Sequence, residues 1–374
     1  MINDISWAEI DLDAIAHNAR QLKRLVGERT HLAAVVKANA YAHGALEAAL
    51  VALANGATWL AVARANEGFA LREGGVTAPI LVMGYTLPSQ AADIVRHRLT
   101  PAVNSLELAE ALSAAVAGAS ADPLPIHLKV DTGLGRFGLL PEEVLAFARA
   151  VIALPGLILE GVFTHFSAAD ERDKAYSQRQ FAEYMQVLRQ LEAAGIAVPM
   201  KHCANSAATL SMPETHLDMV RCGITLYGLP PSDEVDMVIP VRPAMSLKAR
   251  VGRVRTLPPG FPISYNRTFT TTRPTPVALV PLGYGDGYRR ALSNKGQVLI
   301  RGRRAPILGR VCMDQCVVDV SGIPDVHEED EVVLLGRQSD DEISAQEIAG
   351  WVGTNNYEVV AAILARVPRV YVNG

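Results

Sequence analysis

Two kinds of hydrophobic pattern divide the chain. In the first, short stretches that are apolar on nearly every position alternate with longer segments whose apolar residues recur at three- and four-residue spacing. The short stretches fall at 32–37, 59–63, 79–84, 100–104, 126–131, 158–165, 200–204 and 218–222. Each reads as a strand buried on both faces, as a parallel sheet requires. Helical patterns at 67–72, 105–116, 141–152 and 176–194 lie between them. Ahead of this series, residues 8–11 read as a short strand, followed by a helix with Leu12, Ile15, Ala19, Leu22 and Val26 on one face. Alternation of this kind implies βα units, and eight of them favour an α/β fold, a closed (β/α)8 TIM-type barrel, over an open doubly wound sheet.

The second pattern begins near Pro240-Val241-Arg242-Pro243. Strand-like runs at 248–257, 277–282, 297–301, 305–310, 316–320 and 331–335 follow, separated by turns and with little helical period. Cys316, Val318 and Val320 alternate with Val317, Asp319 and Ser321, which predicts an antiparallel sheet packed on one face. Ser344 with Glu347 has capping-box spacing for a helix running to about Trp351. The expected division is a barrel over residues 1–240 and a mostly-β C-terminal domain over 241–374.

Composition narrows the function classes. A chain of 374 residues can bury a large core, and a net charge of −4 with scattered aromatics gives no basic surface for nucleic acid. Met1-Ile2-Asn3-Asp4 lacks a charged leader followed by an apolar core, and no apolar stretch is long enough to span a bilayer, so a cytoplasmic protein without membrane contact is expected. Cys203, Cys222, Cys312 and Cys316 show no C-x-x-C pair, so reduced, mostly buried thiols and no metal site are expected.

In such a barrel, chemistry sits where strands end. The first run ends in Lys37, with Tyr41, His43 and Gly44 close behind. A lysine leaving a buried strand either snorkels to water or has been placed beside chemistry. The fifth run leads into Asp131-Thr132-Gly133-Leu134-Gly135-Arg136, the sixth into Thr164-His165-Phe166, the seventh into Ala204-Asn205-Ser206 and the eighth into Arg221-Cys222-Gly223-Ile224. The last two turns combine a hydroxyl with a glycine whose N–H can approach closely, which is how a barrel makes a phosphate cup. A lysine beside a phosphate cup fits pyridoxal 5′-phosphate. Simpler readings exist for each part: Gly133 and Gly135 as turn glycines, Ser206 as a helix N-cap, His165 as a structural histidine, Arg221 as the partner of Asp131 or Asp218.

The chain resembles the alanine racemases, pyridoxal-phosphate enzymes with an N-terminal barrel and a C-terminal β-domain. The resemblance runs through Ala34-Val35-Val36-Lys37-Ala38-Asn39-Ala40-Tyr41, Lys129-Val130-Asp131-Thr132-Gly133-Leu134-Gly135-Arg136, Phe163-Thr164-His165-Phe166, Asn205-Ser206-Ala207 and Arg221-Cys222-Gly223-Ile224. In the second half it adds Ile263-Ser264-Tyr265, Gly283-Tyr284-Gly285-Asp286-Gly287, Val311-Cys312-Met313-Asp314 and Gly353-Thr354-Asn355-Asn356-Tyr357-Glu358.

The resemblance implies interconversion of L- and D-alanine by a two-base mechanism on a pyridoxal-phosphate aldimine, in a head-to-tail homodimer with shared active sites. Lys37 would hold the cofactor and act on one face of Cα, and the partner subunit's Tyr265 on the other. Tyr41, Ser206, Gly223, Ile224 and Tyr357 would hold the phosphate, His165 would lie beside the ring, and Arg221 would face its nitrogen. Arg136 and the N–H of Met313 would receive the substrate carboxylate or a neighbouring phenolate, and Lys129 would be carbamylated. The product would serve peptidoglycan synthesis, or D-alanine would be degraded. Ala42 and Asn266 stand where the family commonly has glycine, and Asn355 where an apolar residue is frequent. A barrel-type decarboxylase, a pyridoxal-phosphate carrier and a racemase of broader specificity are the alternative readings.

Overall fold

The computed structural model describes residues 4–373. Met1-Ile2-Asn3, part of the segment expected to hold no leader, lies outside the described residues. Among the described residues no helix is long and apolar enough to cross a membrane.

Counting the first strand as β1 (Ser6–Asp11), the next eight are β2 (His31–Val35), β3 (Trp59–Val62), β4 (Ile80–Val82), β5 (Thr100–Val103), β6 (Leu124–Lys129), β7 (Leu157–Phe163), β8 (Met200–His202) and β9 (Met219–Cys222). These eight pair in parallel, each beside its predecessor, and β9 returns to β2. Between β8 and β9 the backbone bonds Asp218 N–H to Lys201 O (3.1 Å) and Arg221 N–H to Ala204 O (3.0 Å) complete the ring. The expected (β/α)8 barrel is therefore the observed one. Strands β3, β4 and β5 are buried at every residue, because helices cover the sheet outside while side chains fill the barrel inside.

The connecting helices include Leu106–Ala119, capped by Ser105, whose hydroxyl accepts from Leu108 N–H at 3.3 Å. The sequence pattern did not mark Ala45–Ala54, in which Glu47 is the one polar residue and no apolar stripe stands out against the rest. The first barrel strand also ends earlier than expected, at Val35 rather than Lys37.

The chain divides into two compact units. One holds Ala14–Ala40 and Ala45–Arg242; the other groups β1 and Tyr41–Gly44 with the chain from Pro243 onward. This differs from a simple division at 240 and 241. β1 pairs antiparallel with β10 (Met245–Arg250), with Ala8 opposite Leu247, and parallel with Arg369–Val372. From β10 the sheet runs through Glu331–Gln338, Gln297–Ile300, Arg303–Leu308, Cys316–Asp319 and Thr275–Val280 to Arg253–Leu257. The run read as one strand over 248–257 is thus two, broken after Arg250 at Val251-Gly252. Cys316 and Val318 are buried while Val317 and Asp319 are half-buried, and the pairing is antiparallel, as their alternation predicts. Ser344 caps Ala345–Val352 by accepting from Glu347 N–H at 3.1 Å.

Candidate active site

Lys37 begins a turn of unusual hand. Ala38, Asn39 and Ala40 lie at φ 52–54° and ψ 47–49°, and Tyr41 and Ala42 continue at φ 53° and 67°. None of these residues is glycine, and each left-handed L-residue costs roughly 1–2 kcal/mol, so the surroundings must hold the turn. Glu67 does much of this: one carboxylate oxygen accepts from Ala38 N–H at 2.6 Å, and the other accepts from Ala63 N–H (2.8 Å) and Arg64 N–H (3.0 Å). The Asn39 side-chain oxygen accepts from Ala45 N–H at 2.9 Å. Strain held this way clusters at functional positions.

The Lys37 amine is held below the ordinary lysine range, first by burial and then by the Arg136 guanidinium; Glu67 opposes this, and Arg221 adds to it. A lysine depressed in this way is more often an uncharged, nucleophilic amine. Lys129, at the end of β6, is pushed down to about 8 by burial, Arg136 and Arg221, against Asp131, with Lys37 lowering it further. Its Nζ lies 5.1 Å from the centroid of Phe137 and 5.7 Å from that of Phe163.

Arg136 is delivered by a different device. The Asp131 carboxylate accepts from the backbone N–H groups of Gly133 (3.0 Å), Leu134 (2.8 Å), Gly135 (3.0 Å) and Arg136 (2.8 Å). Burial alone would raise the pKa of this group, but the four N–H donors hold it below the usual carboxylate range. Gly133 and Gly135 take φ of 124° and 67°, so the simple reading of both as turn glycines is correct.

Arg221 pairs with neither Asp131 nor Asp218. It is 3 % exposed; one terminal nitrogen donates to His202 Nδ1 at 2.8 Å, and the other to Thr164 O (2.8 Å), Cys203 O (3.1 Å) and His165 Nδ1 (3.3 Å). Asp218 instead accepts from Lys201 N–H. His165 is held well below the ordinary histidine range by burial and by Arg221, Lys129, Arg136 and Lys37, which keeps its ring neutral. Ser206 does not cap its helix. Asn205 caps Ser206–Ser211, accepting from Ala208 N–H, and frees the Ser206 hydroxyl to accept from Gly223 N–H at 2.9 Å. Ile224 then opens a 3-10 turn whose first N–H groups have no intrahelical acceptor.

The barrel unit therefore brings Lys37, Lys129, Arg136, His165 and Arg221 within electrostatic reach of one another and joins Ser206 to Gly223. The two guanidiniums, with two lysine amines beside them, suit a ligand that carries phosphate or carboxylate. Glu67, the Asp131 carboxylate and His202 were not singled out from sequence as parts of the site. Among the described residues no group of histidine, cysteine and acidic side chains could hold a metal ion.

The remaining candidates belong to the other unit. The rings of Tyr41 and Tyr357 lie 6.3 Å apart, tilted by 51°. Tyr357 sits in helix Asn356–Ala361, capped by Asn355, which accepts from Glu358 N–H; that role explains a polar residue at this position. Tyr265 is 68 % exposed on a turn where Ser264, Asn266 and Arg267 all have positive φ. Asn266 (φ 59°) and Ala42 (φ 67°) occupy left-handed positions, which accounts for glycine as the common residue there. Met313 is exposed, its carbonyl accepting from Gly285 N–H at 2.7 Å, beside an Asp314–Arg366 ion pair at 2.8 Å.

The family pattern described as "Alanine racemase, N-terminal domain" matches residues 10–231, and "Alanine racemase, C-terminal domain" matches residues 244–371. The chain belongs to the alanine racemase family. It is accordingly an enzyme of the isomerase class. It is 50 % identical over 368 residues to the alanine racemase of Desulforamulus reducens, covering 98 % of each chain, and 44 % identical to that of Methanococcus maripaludis over the whole of both. Among solved structures, the alanine racemase of Clostridium difficile 630 superposes with a TM-score of 0.94 at 40 % identity, covering 99 % of this chain and 96 % of that one. The alanine racemase of Bacillus anthracis with bound L-Ala-P gives 0.95 at 37 % identity, covering 100 % and 96 %.

Proposed function

We propose that this protein interconverts L-alanine and D-alanine with pyridoxal 5′-phosphate held by Lys37. The observation that carries the reading is the depressed Lys37 amine at the start of a strained turn, flanked by Arg136 and Arg221. The barrel residues fit the cofactor on their own chemistry. A lysine amine held below its ordinary range sheds its proton more readily to join the cofactor's carbonyl, and a Ser206 hydroxyl that accepts from Gly223 N–H keeps its own hydrogen to donate to a phosphate oxygen. Pyridoxal phosphate, when bound, supplies a sink for the electron pair left at the substrate Cα.

In this reading Tyr41, Ser206, Gly223, Ile224 and Tyr357 bind the phosphate, and His165 lies beside the ring. Arg221 donates to the ring nitrogen without surrendering a proton, because a guanidinium holds its protons at working pH. That favours return of a proton to Cα over side reactions, and it separates this chain from a barrel decarboxylase, where a carboxylate would be expected at the same place. Lys37 takes or returns the proton on one face of Cα. The partner subunit's Tyr265 serves the other face in a homodimer with shared sites, a role suited to a tyrosine 68 % exposed in its own chain. Arg136 and the Met313 N–H receive the substrate carboxylate or the adjacent phenolate oxygen. Lys129, with its amine pushed down to about 8, is uncharged often enough near neutrality to accept carbon dioxide, and the carbamate would pair with Arg136. The four free cysteines suit a reducing, cytoplasmic setting, where the product would feed peptidoglycan synthesis or D-alanine would be consumed.

Chiral analysis of L-alanine incubated with the purified protein, with and without added pyridoxal phosphate, tests this directly. Conversion toward equal enantiomers, with L-serine and L-lysine slow, is expected. Faster conversion of serine or lysine would change the substrate, and absence of racemisation despite a lysine-bound cofactor would overturn the reading.

A further inference from the structure

Arg221 is one end of a buried chain of side chains that crosses the barrel. Its guanidinium donates to His202 Nδ1 at 2.8 Å; His202 Nε2 and His127 Nδ1 are 2.8 Å apart; and His127 Nε2 lies 3.1 Å from a carboxylate oxygen of Glu160. Both imidazoles are fully buried. Phe163 stacks on His202 at 4.8 Å and 6°, and Trp59 lies 5.6 Å from His127. Glu160 is 29 % exposed and lines a separate cavity of about 550 Å³ with Trp59, Thr100 and Pro125. Those three residues open β3, β5 and β6 or lie next to their starts, so this cavity is at the mouth opposite Lys37.

Two backbone features of β7 make room for this chain. Ile126 on β6 faces Leu159, but His127 faces Gly161, so Glu160 is the extra residue of a β-bulge, a device that re-aims a side chain. Gly161 is bare where His127 lies: a Cβ there would come within 2.7–2.8 Å of three atoms of the imidazole.

The donors and acceptors admit one arrangement. A guanidinium only donates, so His202 Nδ1 must be bare and His202 must carry its hydrogen on Nε2. That hydrogen needs a bare Nδ1 on His127, whose hydrogen is then on Nε2, aimed at Glu160. Protonating either ring fully would set two N–H groups against each other at 2.8 Å. Burial lowers the proton affinity of both rings, and Arg221 lowers it further; Glu160 opposes this at His127.

We infer that Glu160 and His127 are positioning residues for Arg221: a carboxylate at the far mouth of the barrel fixes, through two imidazoles, the bare nitrogen that His202 presents to the guanidinium. The inference rests on the proposed placement of Arg221 at the cofactor ring for its effect on cofactor binding, and on geometry alone for the hydrogen-bond order. With the terminal nitrogens of Arg221 tied by His202, Thr164, Cys203 and His165, the orientation of the whole planar group follows from whether that chain is intact.

The test uses protein labelled with ¹⁵N in the histidine rings, read by NMR with and without cofactor, in the wild type and in Glu160→Gln, Glu160→Leu and Gly161→Ala. The expected result is a single Nε2–H form for His127 and His202 in the wild type. Glu160→Gln retains an oxygen acceptor and should keep it. Glu160→Leu and Gly161→Ala should each give mixed forms and weaken pyridoxal phosphate binding about tenfold, the size of one buried charge-assisted hydrogen bond, with most of the affinity restored in Glu160→Gln. A wild-type His202 carrying its hydrogen on Nδ1, either ring doubly protonated near neutral pH, or unchanged ring forms and cofactor affinity in Glu160→Leu would each overturn the inference. If the wild type fails to bind pyridoxal phosphate at all, the functional reading falls, while the cofactor-free spectra still decide whether the chain of bonds exists.

Discussion

The turns after β2 and β6 both present a cation, and they do it in opposite ways. After β6, glycines supply the positive φ values, and one carboxylate, Asp131, gathers four local N–H groups to set Arg136. After β2, five residues with side chains adopt the left-handed region, and the tether comes from Glu67 on another βα unit. The β6 turn is nearly unstrained and is tied mainly by its own carboxylate, with a further bond from the Tyr176 hydroxyl to Gly133 O at 2.8 Å. The β2 turn is strained and depends on its neighbours, so Lys37 is coupled to packing elsewhere more strongly than Arg136 is. Under the proposed function, a reactive amine gains from a fixed position, and a guanidinium that receives a carboxylate tolerates a loop tied mainly by its own residues.

Breaking each end of the comparison should give the largest effects. Lys37→Ala should lower racemisation by about 10³-fold or more and remove lysine-bound cofactor absorbance together; retained activity would remove Lys37 from the chemistry. Asp131→Ala should release the β6 turn and reduce kcat/KM by about 10²-fold, largely through KM, since Arg136 loses its placement. Because the folded Asp131 carboxyl is held low, its stabilisation is complete above its unfolded range and is lost as pH falls through the folded value. The wild type should therefore lose more stability than Asp131→Ala on acidification, and parallel pH curves would show the four bonds to be unimportant.

Smaller changes sharpen the contrast. Glu67→Ala should cost about 1–3 kcal/mol in chemical denaturation and lower the Lys37 titration further, since Glu67 raises it. Glu67→Gln should recover part of the stability and little of the titration. The turns should also respond with opposite sign to glycine and alanine. Gly133→Ala meets positive φ and places a Cβ 2.6 Å from the Tyr176 hydroxyl, a loss of roughly 1–3 kcal/mol. Ala42→Gly relieves a left-handed alanine and should gain roughly 0.5–1 kcal/mol. A melting temperature that falls in both variants would place the β2 strain outside Ala42.

The same contrast explains what could be read from the chain. Strands buried on both faces announce themselves as solid apolar runs, and the β6 turn is spelled out by Asp131, Gly133 and Gly135. Nothing local marks the β2 turn, because Ala38, Ala40 and Ala42 favour a right-handed helix on their own, and the tether at Glu67 is a long-range contact. Ser206 was misplaced by one position as a possible cap because asparagine and serine cap almost equally well; only the bond to Gly223 distinguishes them. His127 and His202 lie inside runs that read as buried strand, where their ring contacts leave no periodic trace. β1 reads as a strand, but its place in the second sheet leaves no local sign, since its partners follow the barrel.

That pairing sets an order on synthesis. β1 is synthesised ahead of the barrel, yet the strands that satisfy its two edges, β10 and Arg369–Val372, are made after it. On the order of 200 residues separate β1 from β10, so at about 5–20 residues per second its backbone waits on the order of 10–40 s for a partner. From β3 to β8 each barrel strand meets its predecessor as it emerges, whereas β1 finds its partners only after the barrel has been made. A nascent chain of this enzyme thus carries a strand with both edges open until the barrel has been made, and the synthesis of Arg369–Val372 closes the second edge.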